Sequence, residues 1–562
     1  MTHYLSRHAL TALVFTLFGA LLGAQLHTTL SPPDAVKQFK KMKRAFLLIS
    51  GKYVEQVSAK RLATGGVDGM LDRLDPHSSY VPPEDVARKR NRIRGSFGGV
   101  GIRYNVIDDT ARVVSPIEDG PSEEAGILPG DRIVKIEDST AVGLSSQRIQ
   151  TRLTGTEGTT VTFTVYRPVS DERLAITIQR GEVPLRSVHS SYLLDDQTGY
   201  LKISRFAQST PDEFVRAVND LKHRGMTRLV IDLRGNTGGV LEAATRVADE
   251  LLGEAGLPLV SVEGRASGTS RTLHTQTGGI LPEAPVTLLV DGNTASASEI
   301  LAGALQDHDR ALLVGRRTFG KGLVQKAFSL PDGSLLNLTV AAYYTPVGRF
   351  IQTPYENGQQ TANHQKKIAN RREAVHRVRE YKARIPDSLT YRTVHGRTVF
   401  GGGGILPDYV VPPDTSSLTG FLKRRELDRL FRLFAGEWLS TQAPQLRSTW
   451  QGRPDAFLAS YHVPDRALSA FWRYAQKQEV LTLTPDPEVV NPARQVFPTS
   501  ARAATRSVVR AHLKGQLANV LFGENTGRPL LNRVDPSVQN ALSLWAPARK
   551  LAAYHTAVPQ QN

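Results

Sequence analysis

Residues 288–325 read LLVDGNTASASEILAGALQDHDRALLVGRRTFGKGLVQ, and the central part of the chain is organised around them. The apolar run Val286–Val290 predicts a buried strand, and the turn-forming residues Asp291–Asn293 follow it. Ser296 then opens a segment whose apolar residues recur at helical spacing as far as Leu305. The pattern therefore predicts a hydroxyl at the point where a strand turns into a helix.

A second apolar run, Ala311–Val314, predicts another strand, and a glycine-rich segment containing Lys321 follows it. A helix N-terminus has unpaired N–H groups, so Ser296 would lie beside a donor for a developing oxyanion, the N–H of Ala297. A serine nucleophile needs a base, and a lysine serves as one only where burial lowers its pKa. Gln325 is an uncharged side chain suited to holding that amine.

From these residues alone, other interpretations stay open. Ser296 and Glu299 also fit a capping box, in which a serine and a glutamate three residues later satisfy the first N–H groups of a helix. Lys321 also fits a solvated surface lysine. Thr294 and Ser298 are competing hydroxyls, and Ser298 is the stronger rival.

The two runs TASASEI (residues 294–300) and TFGKGLVQ (residues 318–325) resemble the active-site signature of the carboxy-terminal processing proteases, also called tail-specific proteases. That resemblance implies a Ser–Lys catalytic group with an assisting glutamine. Matched residue by residue, the nucleophile falls on Ser296, the base on Lys321 and the assisting residue on Gln325.

A glycine-rich turn, Arg234-Gly-Asn-Thr-Gly-Gly239, lies between the predicted strand Leu229–Leu233 and the predicted helix Leu241–Leu252. Such a turn is able to cradle a phosphate, but this one lacks the Lys-Ser/Thr of a P-loop and the Rossmann spacing. In the protease family the matching loop supplies the second oxyanion donor. The resemblance places that donor on the N–H of Gly239, with Gly238 as the alternative.

Short β-like runs alternate with turns between residues 95 and 180. The predicted elements are strands at Val100–Asn105, Ala111–Val114, Arg132–Ile136 and Thr160–Tyr166, and helices near Ser122–Ala125 and Ser145–Leu153. Together with FGGVGI at residues 97–102 and AGILPGDRI at residues 125–133, this order resembles a PDZ domain.

The PDZ resemblance implies a peptide-binding loop formed by Gly99, Val100, Gly101 and Ile102. In PDZ domains the backbone N–H groups of this loop bind a terminal carboxylate, and the peptide adds as a strand to a sheet edge. A plain β-turn is the structural alternative for these four residues.

Composition narrows the class of protein. The chain has 562 residues, no cysteine and a net charge of +17. Disulfides, thiol catalysis and thiolate metal sites are therefore excluded, and we expect neither a metal nor a cofactor. The positive charge favours anionic partners, but no nucleic-acid motif accompanies it. We expect a solvated basic surface or contact with acidic lipid.

The N-terminus carries an apolar stretch, residues 9–26, preceded by Arg7. We interpret it as a signal peptide or a retained membrane anchor, and either places the protein outside the cytoplasm, in the periplasm or cell envelope. Residues 34–94 read as helical. They contain His77 in a turn, where a structural role is favoured over a metal or triad role.

We therefore predict a multidomain protein that mixes α+β and α/β organisation. Residues 1–26 form the signal peptide or anchor, 34–94 a helical segment, 95–183 the PDZ domain, 184–413 a mixed α/β Ser–Lys protease core, and 414–562 a helical region. The core has a basic insertion at 353–400. Within the helical region, the spacing of apolar residues predicts helices at 422–439, 501–521 and 537–554. The region fits a regulator, an oligomer contact or a cover for the core equally well.

The predicted function is that of an exported serine endopeptidase that recognises proteins by free apolar C-termini and reacts through an acyl-enzyme. A catalytically inactive PDZ adaptor or holdase is the alternative from another class. A Ser–His–Asp hydrolase is weaker, since the chain has no G-x-S-x-G and no histidine with a supporting pattern. Association with a membrane and assembly into a homo-oligomer are both compatible with the sequence.

Overall fold

The computed structural model describes residues 33–356 except 169 and 277, and residues 378–412, 417–423, 427–486 and 495–556. The chain divides into two units, Met1–Tyr80 and Val81–Asn562. The predicted export segment at residues 9–26 lies outside the described residues, as does much of the basic insertion. Across the described ranges, each helix is too short or too polar to cross a lipid bilayer.

The described part of the first unit contains two helices, α1 (Pro33–Lys52) and α2 (Ala59–Leu71). Ser58 caps α2 by accepting a hydrogen bond from the N–H of Arg61. Beyond α2, the carboxylate of Asp75 accepts hydrogen bonds from the backbone N–H groups of His77 and Ser78. His77 therefore belongs to a turn, as predicted. A short strand, β1 (Ser79–Val81), runs across the unit boundary.

The second unit begins with helix α3 (Pro83–Arg94) and continues into the PDZ region. The PDZ strands are β2 (Ser96–Gly99), β3 (Ile102–Ile107), β4 (Thr110–Pro116), β5 (Arg132–Ile136), β6 (Ser139–Thr140), β7 (Thr160–Arg167), β8 (Glu172–Gln179) and β9 (Gly181–Pro184); the helices are α4 (Pro121–Glu124) and α5 (Ser146–Leu153). The predicted elements are confirmed to within two residues. The sequence interpretation missed four strands, β2, β6, β8 and β9.

Strand β3 lies at an edge of the PDZ sheet, whose order is β3-β4-β5-β7-β8. The sheet and helix α5 enclose a core that includes Val100, Ile133, Ile149 and Phe163. Strands β2 and β9 form a separate antiparallel pair that joins this domain to the rest of the unit. An edge strand has free N–H and C=O groups, so β3 is able to pair with an added peptide.

The core of the second unit is built on a six-stranded sheet. In spatial order, its strands are β10 (Val188–Leu193), β11 (Thr198–Ile203), β12 (Arg228–Asp232), β15 (Val286–Val290), β16 (Ala311–Gly315) and β21 (Tyr409–Val410). All neighbouring pairs are parallel except β10 and β11. The predicted strand at 286–290 is confirmed, and the predicted strand at 311–314 extends one residue further, to Gly315.

Three helices cover one face of this sheet: α6 (Thr210–His223), α7 (Leu241–Asp249) and α8 (Ala297–Asp307). Their buried side chains share one cluster with residues from β11, β12, β15 and β16. Because side chains alternate along a strand, the next residue of each strand points to the opposite face. That face needs a cover of its own.

The C-terminal residues supply the cover. Helices α17 (Pro536–Ser543) and α18 (Trp545–Thr556) bury Val538 and Trp545 against Val230 and Leu289 of the sheet. Of the three roles considered for the C-terminal region, core cover is therefore the role of these two helices. The predicted single helix at 537–554 is wrong, because Pro547 lacks the N–H that a continuous helix would need.

The remaining C-terminal elements pack around a separate aromatic cluster that includes Phe431, Phe471 and Phe497. The helices are α10 (Leu418–Leu422), α11 (Asp428–Thr441), α12 (Gln445–Trp450), α13 (Pro454–Ser460), α14 (Asp465–Lys477), α15 (Arg502–Phe522) and α16 (Glu524–Asn532), and two short strands, β22 (Thr482–Thr484) and β23 (Val496–Pro498), pair in parallel. The predicted helix at 422–439 is corrected: α10 ends at Leu422, and α11 begins at Asp428. The predicted helix at 501–521 is confirmed.

A second antiparallel sheet of this unit contains β13 (Pro258–Gly264), β14 (Arg271–His274), β17 (Leu323–Ser329) and β18 (Leu335–Tyr344). The described part of the insertion contains helix α9 (Val378–Ala383) and a hairpin of β19 (Thr390–Arg392) and β20 (Thr398–Phe400). Strand β17 begins two residues after Lys321 and carries Gln325.

Candidate active site

Ser296 lies at the turn between β15 and α8, where it is the N-cap residue of the helix. Its backbone has φ 56° and ψ −120°. Positive φ is uncommon for a residue with a Cβ, and this conformation costs on the order of 1–3 kcal/mol. Such strain is typical of functional turns that project a nucleophile. Ser296 is also partly exposed, although the residues on either side of it are buried.

The two rival hydroxyls have structural roles. Thr294 is fully buried, and its hydroxyl donates to the carbonyl of Leu233 at 3.0 Å. Ser298 is fully buried as well, and its hydroxyl donates to the carbonyl of Asn236 at 3.2 Å. Ser296 is thus the accessible hydroxyl of the three.

Glu299, on the first turn of α8, is fully buried and accepts four hydrogen bonds. Its Oε1 accepts from the hydroxyl of Thr318 at 2.5 Å and from the N–H of Gly320 at 2.7 Å. Its Oε2 accepts from the N–H groups of Ser296 and Lys321, each at 2.9 Å. One carboxylate therefore fixes the backbone of the candidate nucleophile and the backbone of the candidate base.

The capping-box interpretation and the catalytic one are compatible here. Glu299 reaches back to the N–H of Ser296, as a capping-box glutamate does, and at the same time holds the segment that carries Lys321. Burial raises the pKa of Glu299 above its ordinary value, although the four hydrogen bonds favour the ionised form. The capping-box pattern predicts the contact with Ser296, but no pattern in the sequence predicts the contacts of Glu299 with Thr318, Gly320 and Lys321.

Tyr343 approaches the same two residues from β18. It is almost fully buried, and its hydroxyl lies 3.2 Å from the carbonyl oxygen of Ser296 and also within hydrogen-bond distance of the carbonyl oxygen of Lys321. The sequence interpretation missed this residue, since a tyrosine near the end of a strand carries no pattern that links it to a site. Together with Glu299, it clamps the two backbones from both sides.

Lys321 stands between two glycines and is partly exposed. A Cβ on Gly320 would lie 2.2 Å from the Thr353 hydroxyl, so the close approach of this segment requires a glycine there.

Gln325 follows a bulge in β17, and its amide donates to the hydroxyl of Thr339 on β18 at 3.2 Å. The structure thus attaches Gln325 to the neighbouring strand.

The glycine-rich loop packs directly against the serine turn. A Cβ on Gly238 would lie 2.8 Å from the Cβ of Ser296 and 2.9 Å from the nitrogen of Ala297. The N–H of Gly238 is occupied, since it donates to the side chain of Asn236 at 2.9 Å. Among the described residues, the N–H groups of Gly239 and Ala297 have no protein acceptor. This arrangement favours Gly239 over Gly238 as an oxyanion donor.

Asn236 holds this loop in place and was not singled out from the sequence. It is fully buried, and its side-chain amide donates to the carbonyl of Ile203 at 3.1 Å. Its own carbonyl accepts from the N–H of Ala295 at 3.0 Å, one residue before Ser296. The sheet, the loop and the serine turn are therefore joined through one asparagine.

The four residues predicted to bind a peptide end, Gly99 to Ile102, connect β2 to the edge strand β3. Val100 is buried, and its carbonyl accepts from the N–H of Ser122 at 2.9 Å. The carbonyl of Gly101 accepts from the N–H of Ile117 at 2.8 Å. These two bonds hold the backbone of the loop at the start of β3, the strand to which a peptide would add.

Comparison with known proteins agrees with this architecture. Residues 197–357 match the family model "Peptidase family S41", residues 98–178 match "PDZ domain", and residues 23–84 match "Activating protease CtpB N-terminal domain". The fold and the matches define a PDZ-containing serine protease of the S41 class.

The chain belongs to the carboxy-terminal processing protease family. It is 36% identical to the carboxy-terminal-processing protease of Bartonella bacilliformis over 343 residues, and this alignment covers 60% of this chain and 78% of that protein. It is 33% identical over 318 residues to carboxy-terminal processing protease CtpB of Bacillus subtilis, covering 56% of this chain and 66% of that protein. Both relatives are named proteases, so the inactive-adaptor alternative is not favoured.

Proposed function

We propose that the protein cleaves polypeptides with Ser296 as nucleophile and Lys321 as general base. The single observation that carries this proposal is the strained, accessible Ser296 at the start of α8, tied through Glu299 to the backbone of Lys321. A helix N-terminus beside the nucleophile supplies an N–H and a favourable dipole for negative charge. Gln325, anchored on Thr339, assists by holding the amine of Lys321 in its uncharged form.

The reaction has two halves. Neutral Lys321 takes the hydroxyl proton of Ser296 as its oxygen attacks the peptide carbonyl, and the negative charge develops on the carbonyl oxygen. The N–H groups of Ala297 and Gly239 stabilise that oxyanion. When the intermediate collapses, the C–N bond breaks, the leaving amine takes the proton from Lys321, and an ester remains on Ser296. Water, activated by the same lysine, then hydrolyses the ester and restores the serine.

The PDZ domain selects the substrate in this account. The loop from Gly99 to Ile102 binds the free C-terminal carboxylate, and the tail pairs with the edge strand β3. The substrate class is therefore proteins with accessible, apolar C-terminal tails. Residues 9–26 support a location outside the cytoplasm, and N-terminal sequencing of the protein from cell fractions tests whether that segment is removed.

Replacement of the catalytic groups tests the proposal. Ser296→Ala and Lys321→Ala should each abolish cleavage of an unfolded protein with an apolar tail while leaving thermal unfolding cooperative. Ser448→Ala removes an exposed hydroxyl that donates only to the carbonyl of Gln445, and it should retain full activity. Tail binding without turnover in the unmodified protein would favour the adaptor and contradict the protease.

The tail preference has its own test. A substrate whose C-terminal carboxylate is amidated should bind Ser296→Ala protein about tenfold more weakly than the free acid, since charge-assisted hydrogen bonds to backbone N–H groups are lost. Equal affinity for the two substrates would show that the PDZ loop does not bind the terminal carboxylate. The catalytic proposal would be unaffected.

A further inference from the structure

The C-terminal region contacts the glycine-rich loop through one ion pair. Arg234, the first residue of that loop, places Nη1 2.7 Å from Oδ2 of Asp535 and 3.0 Å from its Oδ1. Asp535 lies 301 residues further along the chain, immediately before α17. A residue of the helical cover thus touches the segment that presents Gly239.

The other side of the Arg234 guanidinium is also paired. Its Nε and Nη2 donate to the two carboxylate oxygens of Asp232 at 3.0 and 2.9 Å. Asp232 in turn accepts from the hydroxyl of Tyr200 at 2.7 Å. The Arg234 side chain is only 7% exposed. Burial alone would lower the pKa of Arg234, but the charges of Asp232 and Asp535 outweigh burial and hold that pKa above its ordinary value.

Asp535 is itself fixed. Its Oδ1 accepts from the N–H of Ser537 at 2.9 Å, so the residue is the N-cap of α17. That helix and α18 pack on the sheet through Val538 and Trp545. The carboxylate therefore presents a rigid acceptor to Arg234, with little freedom to follow the loop if the loop moves.

The loop transmits the position of Arg234 to the site. Lys202 donates to the carbonyl of Arg234 at 3.0 Å, and the N–H of Gly235 donates to the carboxylate of Asp291 at 3.0 Å. Asp291 belongs to the turn that leads to Ser296 and also accepts from the N–H of Thr294. A shift at Arg234 would therefore move the loop relative to the serine turn.

We propose that Asp535 is a positioning residue for the hydrolysis: through Arg234 it fixes the loop so that the N–H of Gly239 lies opposite that of Ala297. This inference rests on the oxyanion role of Gly239 in the proposed function. Asp535 acts through the arginine, and its contribution is to the geometry of the oxyanion site. The C-terminal segment is on this account a part of the catalytic apparatus as well as a cover for the sheet.

Asp535→Asn separates the ion pair from the helix cap, because asparagine caps helices as well as aspartate does. In this variant kcat should fall about tenfold, with KM unchanged, since a misplaced donor weakens only transition-state binding. Affinity for a peptide boronic acid, whose tetrahedral adduct places an oxygen in the oxyanion site, should fall by the same factor. Arg234→Lys keeps the charge but loses the forked contact with both aspartates, so it should change both quantities in the same direction.

The matched control is Asp465→Asn. Asp465 is an exposed aspartate of the same C-terminal region, at the start of α14, and pairs with Arg506 and Arg510. The substitution removes the same charge without touching the loop, so kcat and boronate affinity should stay at wild-type values. A merely structural role of Asp535 would lower the unfolding temperature without changing boronate affinity.

Wild-type kcat and boronate affinity in Asp535→Asn would overturn the inference, as would an equal loss in the control. If Asp535→Asn does not fold, Arg234→Lys serves as the test variant. A wild-type kcat in Arg234→Lys would overturn the inference as well. The proposed function fails separately, for example if cleavage survives Ser296→Ala. Loss of cleavage in Ser296→Ala together with wild-type kcat in Asp535→Asn contradicts the positioning role alone.

Discussion

The carboxylate of Glu299 accepts a hydrogen bond from the backbone N–H of Lys321 at 2.9 Å, 22 residues further along the chain. The same oxygen accepts from the N–H of Ser296 at 2.9 Å. The relative position of nucleophile and base is thereby set by main-chain contacts to one buried acid, before their side chains are considered. Proximity of this kind is what a general base requires.

Glu299→Gln tests that relationship. The carboxylate meets only donors, so the NH2 group of glutamine would face an N–H or a hydroxyl and break at least one contact. Hydrogen bonds to a charged group contribute roughly 1.5–3 kcal/mol, and we expect a loss of about 3 kcal/mol in the free energy of unfolding. We also expect kcat to fall more than KM rises. Urea unfolding and steady-state kinetics measure both; a stable and fully active variant would contradict the clamp.

The glycine loop gives a second prediction. Gly239 has φ 148°, and a Cβ there would lie 1.9 Å from the carbonyl oxygen of Phe206. Gly238→Ala would push against Ser296, and we expect about a 100-fold loss in kcat, comparable to the removal of an oxyanion donor. Gly239→Ala should also destabilise the fold, because the clash is with backbone.

Gly436→Ala is the matched control for these alanine substitutions. It lies in α11, and a Cβ there meets nothing within 4 Å. Activity should be unchanged, and stability should rise slightly since alanine favours a helix over glycine. Normal kinetics in Gly238→Ala would show that the loop does not need to approach the serine turn.

A third prediction concerns pH. Burial, followed by the charge of Arg310 and the neighbouring histidines His308 and His395, lowers the pKa of His555 from 6.5 to about 4. Between those values the unfolded chain binds a proton that the folded chain does not, so stability is retained above pH 6.5 and lost as the pH falls toward 4. The unfolding temperature of His555→Gln should therefore fall less steeply over this range than that of wild type. If the unfolding temperatures of the two proteins fall in parallel with pH, His555 makes no contribution to the pH dependence of stability.

The sequence predicted the central elements well because their patterns are local. Apolar runs and helical spacing place β15, α8 and β16 almost to the residue, and the family resemblance marks Ser296 and Lys321. The partners of these residues come from distant parts of the chain. Tyr343 lies on β18, and no local pattern states which carbonyl a tyrosine hydroxyl will meet.

The C-terminal region shows the same limit. The spacing of apolar residues predicts its helices, but an amphipathic pattern does not show which surface a helix covers. Only the fold shows that α17 and α18 lie on the central sheet, and that the cap residue Asp535 meets Arg234. Pairings across 301 residues depend on topology, which local spacing does not encode.

The most direct measurement is the covalent state of Ser296 during turnover. Wild-type protein mixed with an apolar-tailed peptide ester, quenched in acid within the first turnover and digested, should carry the acyl group on the peptide containing Ser296. Lys321→Ala should show far less of this adduct, and Ser296→Ala none. Turnover without any adduct on Ser296, or cleavage retained by Ser296→Ala, would contradict the account.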